Sequence, residues 1–201
     1  SNYCTYAAPA FFDVTNDGLI DVVCGSRYSW RRYDNNAGIK VERIAYYFKN
    51  NGTKQTPSFS LVAGTADPFD NILNNAWNDG HLNGESMTSP AFYDVNSDGL
   101  PDLVLGVQYN KIHVYLNTGT RESPNFIEWT PAQGNPFAVL YSITWLSPAL
   151  FDIDDDGDPD MLVGGYLNQL EFFEANGCFT TTTCSGRGIC ENVNGSARCA
   201  C

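Results

Sequence analysis

Short apolar runs bounded by proline and glycine punctuate the chain. Pro9-Ala-Phe-Phe, Pro90-Ala-Phe-Tyr and Pro148-Ala-Leu-Phe each lead into an aspartate. Val22-Val-Cys-Gly25, Leu103-Val-Leu-Gly106 and Met161-Leu-Val-Gly164 each follow one. Runs of this length and composition read as buried strands. Each pair flanks a nine-residue polar loop, so each loop is predicted to join two strands. After the first hairpin comes a polar turn, Arg31-Arg-Tyr-Asp-Asn-Asn-Ala-Gly38, then a partly alternating strand, Ile39-Lys-Val-Glu-Arg-Ile-Ala-Tyr-Tyr-Phe48. Asn50-Asn-Gly-Thr53 turns the chain into a fourth strand, Pro57-Ser-Phe-Ser-Leu-Val62. The second unit repeats the plan, with a third strand over Lys111-Ile-His-Val-Tyr-Leu-Asn117 and a fourth over Asn125-Phe-Ile-Glu-Trp129. In the third unit Glu171-Phe-Phe-Glu174 is the third strand. Its fourth is unsettled, because Phe179-Thr-Thr-Thr-Thr183 has β propensity but lies between cysteines.

The polar loops carry the chemistry. They read Asp13-Val-Thr-Asn-Asp-Gly-Leu-Ile-Asp21, Asp94-Val-Asn-Ser-Asp-Gly-Leu-Pro-Asp102 and Asp152-Ile-Asp-Asp-Asp-Gly-Asp-Pro-Asp160. Side-chain oxygens stand at positions 1, 3, 5 and 9, with glycine at position 6. Calcium takes six to eight oxygens at about 2.3–2.6 Å, and a glycine lets the chain turn sharply around it. Alternate residues of an extended loop point the same way, so positions 1, 3 and 5 converge. Position 7 can add its carbonyl. The candidate ligands are Asp13, Thr15, Asp17, Leu19 and Asp21; Asp94, Asn96, Asp98, Leu100 and Asp102; and Asp152, Asp154, Asp156, Asp158 and Asp160. An EF-hand would need glutamate at position 12. Cys24, Leu105 and Val163 stand there instead.

Together these features resemble FG-GAP/VCBS repeats, the blades of integrin α-chain propellers and of many secreted propellers. The resemblance covers roughly residues 7–176, and three copies with matching flanks make it specific. It implies an all-β protein of β-propeller-type blades, each a four-stranded antiparallel unit. It also implies up to three calcium ions held through positions 1, 3, 5 and 9 and the carbonyl of 7. Thr15 offers a neutral oxygen, so the first site is expected to be the weakest. The units run over about 7–66, 89–140 and 141–177. Residues 67–88 form an insertion rich in Asn, Asp and Gly. A loop that long usually binds something or packs on a neighbour. His81 within it has no second His or Cys beside it and is read as a solvated side chain. The aromatics of the strands are read as packing between blades.

Composition sharpens this picture. The 201 residues carry a formal charge of -12. Of 23 acids, ten stand at loop positions 1, 3, 5 and 9: three, three and four. Three calcium ions would bring the charge to about -6. The acidity is thus largely that of the loops, and it argues against a nucleic-acid partner. No run of 18 apolar residues is present, so no membrane span is expected. The chain opens at Ser1 with no signal-like segment, as in a processed or partial chain that continues beyond its last residue. Seven cysteines point to an oxidising compartment. Cys24 either packs in the core or bridges to Cys4. Asn51-Gly-Thr53 and Asn194-Gly-Ser196 are glycosylation acceptors, at Asn51 and Asn194.

The tail, Cys178-x5-Cys184-Ser-Gly-Arg-Gly-Ile-Cys190-x8-Cys199-Ala-Cys201, resembles the start of an EGF-like module. That resemblance implies Cys178–Cys190 and Cys184–Cys199 pairs and leaves Cys201 awaiting a partner. A zinc-bound tail would want a Cys-x2-Cys pair, which is missing. No Gly-x-Ser-x-Gly or His-Glu-x-x-His motif stands out, and the chain is read as a non-enzyme. Propellers take four to eight blades. Three blades therefore call for further blades or EGF modules of a longer chain, or for other copies of the protein. The leading expectation is an extracellular or cell-surface structural and adhesive protein, a protomer of a fibre built by blade-to-blade packing. The other is an integrin- or lectin-like module that binds a protein or glycan through its loops.

Overall fold

The computed structural model describes residues 4, 7–25, 31–34, 38–41, 45–73, 88–108, 111–130, 135, 137, 144–155, 157, 159–166, 170–173, 189–193 and 196–200. Among the described residues the chain is all-β apart from one turn of α-helix, α1 (Asp70–Leu73), and one 3-10 turn. The first sheet runs β1 (Ala8–Phe12), β2 (Asp21–Gly25), β5 (Ala45–Asn50), β6 (Phe59–Leu61). The second runs β7 (Ser89–Tyr93), β8 (Asp102–Gly106), β9 (Ile112–Asn117), β10 (Phe126–Glu128). The third holds β11 (Ser147–Phe151), β12 (Asp160–Gly164) and β13 (Leu170–Phe173). Every pairing is antiparallel, so each loop closes a hairpin. The register repeats: Phe12 faces Asp21, Tyr93 faces Asp102 and Phe151 faces Asp160.

The stretch from Arg31 to Phe48 departs from the expectation of one turn and one strand. Arg31–Asp34 (β3) pairs with Gly38–Val41 (β4) as a separate hairpin, and only Ala45–Asn50 joins the sheet. Asp34 and Gly38, which face each other at the end of this ladder, are both residue types that favour turns. A second separate hairpin, β14 (Ile189–Val193) with β15 (Ser196–Ala200), places Cys190 opposite Cys199 along the backbone. Cys178, Cys184, His81 and Asn194 lie outside the described residues, as does the third unit's expected fourth strand. Cys24 is joined to Cys4 in a disulfide with Cα atoms 6.5 Å apart, an ordinary separation.

The three sheets stack face on face. One core fills the space between the first and second, with Val23, Tyr47, Leu103, Leu105 and Tyr115 buried in it. A second fills the space between the second and third, around Val104, Val114, Leu146, Met161 and Val163. The insertion contributes a wedge. Phe69, fully buried, stacks on Phe126 at 5.1 Å and meets Tyr47 at 5.7 Å and Phe92 at 5.9 Å. Such ring pairs add about 0.5–1.5 kcal/mol each beyond the area they bury.

Two glycines set how closely the sheets approach. A Cβ on Gly25 would run into the Thr88 carbonyl, and one on Gly106 into the Leu146 carbonyl. These residues end β2 and β8, where the lead-in to the next unit crosses. Pro90 and Pro148 press on the same two glycines and are buried.

Candidate metal centre

All three loops share one backbone path. Position 4 is left-handed in each, at φ 53° for Asn16, 58° for Ser97 and 59° for Asp155. Asn and Asp tolerate that region better than most residues, because their short polar side chains bond locally. Position 6 is also left-handed, at φ 83°, 88° and 94° for Gly18, Gly99 and Gly157. A Cβ there would meet nothing within 4 Å, so conformation and not space demands glycine.

The first aspartate organises the turn. Asp13 accepts hydrogen bonds from the Asp17 N–H at 3.1 Å and the Gly18 N–H at 2.8 Å. Asp94 accepts from Asp98 at 3.0 Å and Gly99 at 2.8 Å, and Asp152 from Gly157 at 3.0 Å. Position 5 then accepts the N–H of position 7: Asp17 from Leu19 at 3.0 Å, and Asp98 from Leu100 at 2.8 Å.

The ninth residue is an anchor of the fold. Asp21, Asp102 and Asp160 are buried. Asp21 accepts from the Val14 N–H at 3.2 Å, the Tyr47 hydroxyl at 2.9 Å and the Asn50 N–H at 2.8 Å. Asp102 accepts from Val95 at 2.9 Å and Asn117 at 2.7 Å, and Asp160 from Ile153 at 2.9 Å. The anchored asparagine then shapes the next turn. The Asn50 side-chain oxygen accepts from the Gly52 and Ser58 N–H groups at 3.0 Å, and Asn117 repeats this with Gly119 and Asn125 at 3.1 and 3.0 Å. These links join residues up to 29 apart in sequence, and only the recurrence of Asn50 and Asn117 at the same register hints at them.

In the third loop Asp152, Asp154 and Asp160 bring one carboxylate oxygen each to within 4.8 Å of one another. Three like charges so close favour a cation between them. Asp156 and Asp158 lie outside the described residues. In the second loop, Asn96 bonds to Asp98 at 2.9 Å. Burial pushes the Asp102 carboxyl up to about 7; the Asn117 and Val95 N–H groups pull it down, and Asp98 and Asp94 push it up. Both loops fit a hard cation: each sets several carboxylates, one of them buried, around the same glycine turn. The first loop differs. Lys49 places its ammonium 3.2 Å from Asp17 and 3.3 Å from Thr15. Burial opposes charge on Asp17, but the Leu19 N–H and Lys49 hold its carboxyl below the usual range. Asn16, at the tip, donates to Glu122 of the second unit at 3.0 Å.

The Asp102 shift has a measurable sign. Its folded pKa lies above the ordinary carboxylate value of about 4, so folding takes up a proton between the two. The stability it contributes is full below about pH 4 and is lost as pH rises through about 7. Carbon-13 NMR of the protein in chelator should show the Asp102 carboxyl titrating near 7. A midpoint near 4 would contradict its burial.

The fold and loops define a repeat protein whose all-β units each present an acidic hairpin loop. Residues 94–163 match the family model for FG-GAP-like repeats. The chain is also similar to integrin alpha-3 of Cricetulus griseus, 26% identical over 177 residues. That match takes in 84% of this chain but spans only 15% of the length of that relative. Among the described residues no helix is long and apolar enough to cross a membrane.

Proposed function

We propose that this chain is an extracellular, calcium-stiffened building unit of a structural or adhesive assembly, extended by stacking one repeat unit on the next. What supports this reading is the difference in exposure between equivalent positions of the three units. Residues that are covered in the first two units lie bare in the third. Val23 and Val104 are 1% and 0% exposed, and their counterpart Leu162 is 36% exposed. Tyr47 and Val114 are 1% and 0% exposed, and Phe172 is 51% exposed. Val14 and Val95, second in their loops, are buried, whereas Ile153 is 55% exposed. Gly164 keeps the glycine of Gly25 and Gly106, yet a Cβ there would meet nothing nearer than 3.9 Å.

The opposite end shows the converse. Pro9 and Phe11 are exposed, whereas their counterparts Pro90 and Phe92 are covered or partly covered by the unit before. The first unit of a second copy therefore has the parts that the third unit's face lacks. Pro9 would press on Gly164 as Pro90 presses on Gly25, with the carbonyl of Ala7 taking the place of Thr88. A large apolar side chain stabilises by about 1.5–3 kcal/mol when fully buried, so covering several of them is a strong drive. Repetition of one heterologous contact gives a fibre.

Calcium would be held by Asp94, Asn96, Asp98, Asp102 and the Leu100 carbonyl, and by Asp152, Asp154 and Asp160 with their loop neighbours. Bound there, it neutralises carboxylates that otherwise repel, and it stabilises the folded hairpins. Exposed Asn51 is a glycan acceptor in this reading, and residues 178–201 form the start of an EGF-like module. A recognition module is the second reading, favoured by the similarity to integrin alpha-3 along most of this chain.

Sedimentation separates the two. In calcium the protein should form species that grow with concentration, and Phe172→Asp should stop the growth without lowering the melting temperature. A wild-type chain that stays monomeric at every concentration would contradict the stacking reading.

A further inference from the structure

The geometry points to Lys49 as a built-in cation of the first loop, so that this loop excludes calcium and the chain takes ions only at its second and third loops. The inference rests on the reading of those two loops as calcium sites. Lys49 lies on β5, and its ammonium sits 3.2 Å from Asp17 at position 5 and 3.3 Å from Thr15 at position 3. Those two oxygens belong to the set that would surround an ion. A dication that shared those two oxygens would have the ammonium as a neighbour on the same ligands, and the two positive charges would repel.

The register shows that this lysine is particular to the first unit. Phe48 faces Val22 and Tyr115 faces Leu103, which makes Leu116 the counterpart of Lys49; in the third unit Phe173 faces Met161, and the next residue in the sequence is Glu174. Position 3 changes in step. Thr15 offers a hydroxyl, where the second loop has the neutral carboxamide of Asn96 and the third the carboxylate of Asp154. The first loop thus has fewer acids than the third and gains a positive charge, while it keeps the same backbone path through Asn16 and Gly18. The shape of the loop is retained and the lysine supplies the counter-charge. The first unit would then stay folded where calcium is scarce, and calcium would act on the second and third.

The test is a count of bound calcium by equilibrium dialysis at millimolar free ion, on the whole chain. Wild type should bind two ions. Thr15→Asn copies the second loop at position 3 but keeps the lysine, and should also bind two. Thr15→Asn with Lys49→Leu reproduces both of the second loop's residues and should bind three. Three ions on wild type or on Thr15→Asn would overturn the inference, as would two on the double variant. No ions on any of them would overturn it by removing the calcium reading beneath it, a result distinct from the other failures. A second readout needs no variant: reductive methylation should leave a Lys49 signal that calcium does not shift. A large calcium-induced shift would show the ammonium being displaced and would overturn the assignment.

Discussion

Replacing Asp21 with alanine should destabilise the protein by about 3–5 kcal/mol, and by as much in chelator as in calcium. The carboxylate is buried and accepts from Val14, Asn50 and Tyr47. Removing it leaves two backbone N–H groups and a hydroxyl without their partner, at about 1–3 kcal/mol for each group that water cannot reach. Burial and the Asp21 charge both push the Tyr47 hydroxyl well above its ordinary pKa, so it remains a donor that needs an acceptor. For a chain of this size the loss corresponds to a fall in melting temperature on the order of ten degrees. A residue whose main service was to bind calcium would instead show a cost that vanishes in chelator. Thermal denaturation under both conditions distinguishes the two.

The second large effect is a contrast between equivalent glycines. Gly106→Ala should cost about 2–3 kcal/mol, because its Cβ would strike the Leu146 carbonyl and come within 2.7 Å of Pro148. The atoms it meets are backbone and a proline ring, which cannot swing aside. Gly164→Ala should leave the melting temperature of the isolated chain unchanged, since its nearest neighbours stand 3.9 Å away. It should nonetheless abolish growth of the assembly, because the incoming chain would meet the new methyl group. If Gly164→Ala assembles like wild type, the packing between copies is not the packing between units.

The sequence made the hairpins and loops legible because their determinants are local. Aspartate at positions 1 and 5 and glycine at 6 bond within a few residues of one another, and the Pro and Gly flanks mark the strands. What lay hidden depends on contacts between distant residues. Lys49 reaches Thr15 across 34 positions, and Asn50 reaches Asp21 across 29. Phe69 sits in a stretch that reads as a polar insertion, and its burial depends on three aromatic partners from two sheets. The β3–β4 hairpin was obscured because Ile39 and Ala45 are near in sequence and both apolar enough to suggest one strand. The role of Gly25 and Gly106 was concealed for a different reason. As strand terminators they look ordinary, and only the carbonyl of the following unit shows why a side chain is refused.

The bare face of the third unit should be a seat for another unit of the same kind. Cryo-electron microscopy of the protein in calcium tests it most directly. Copies should be joined head to tail, with Phe172 and Leu162 covered by the first unit of the next copy and Pro9 lying against Gly164. Single copies with that face open to solvent, or a face covered by something other than a repeat unit of a second copy, would contradict it.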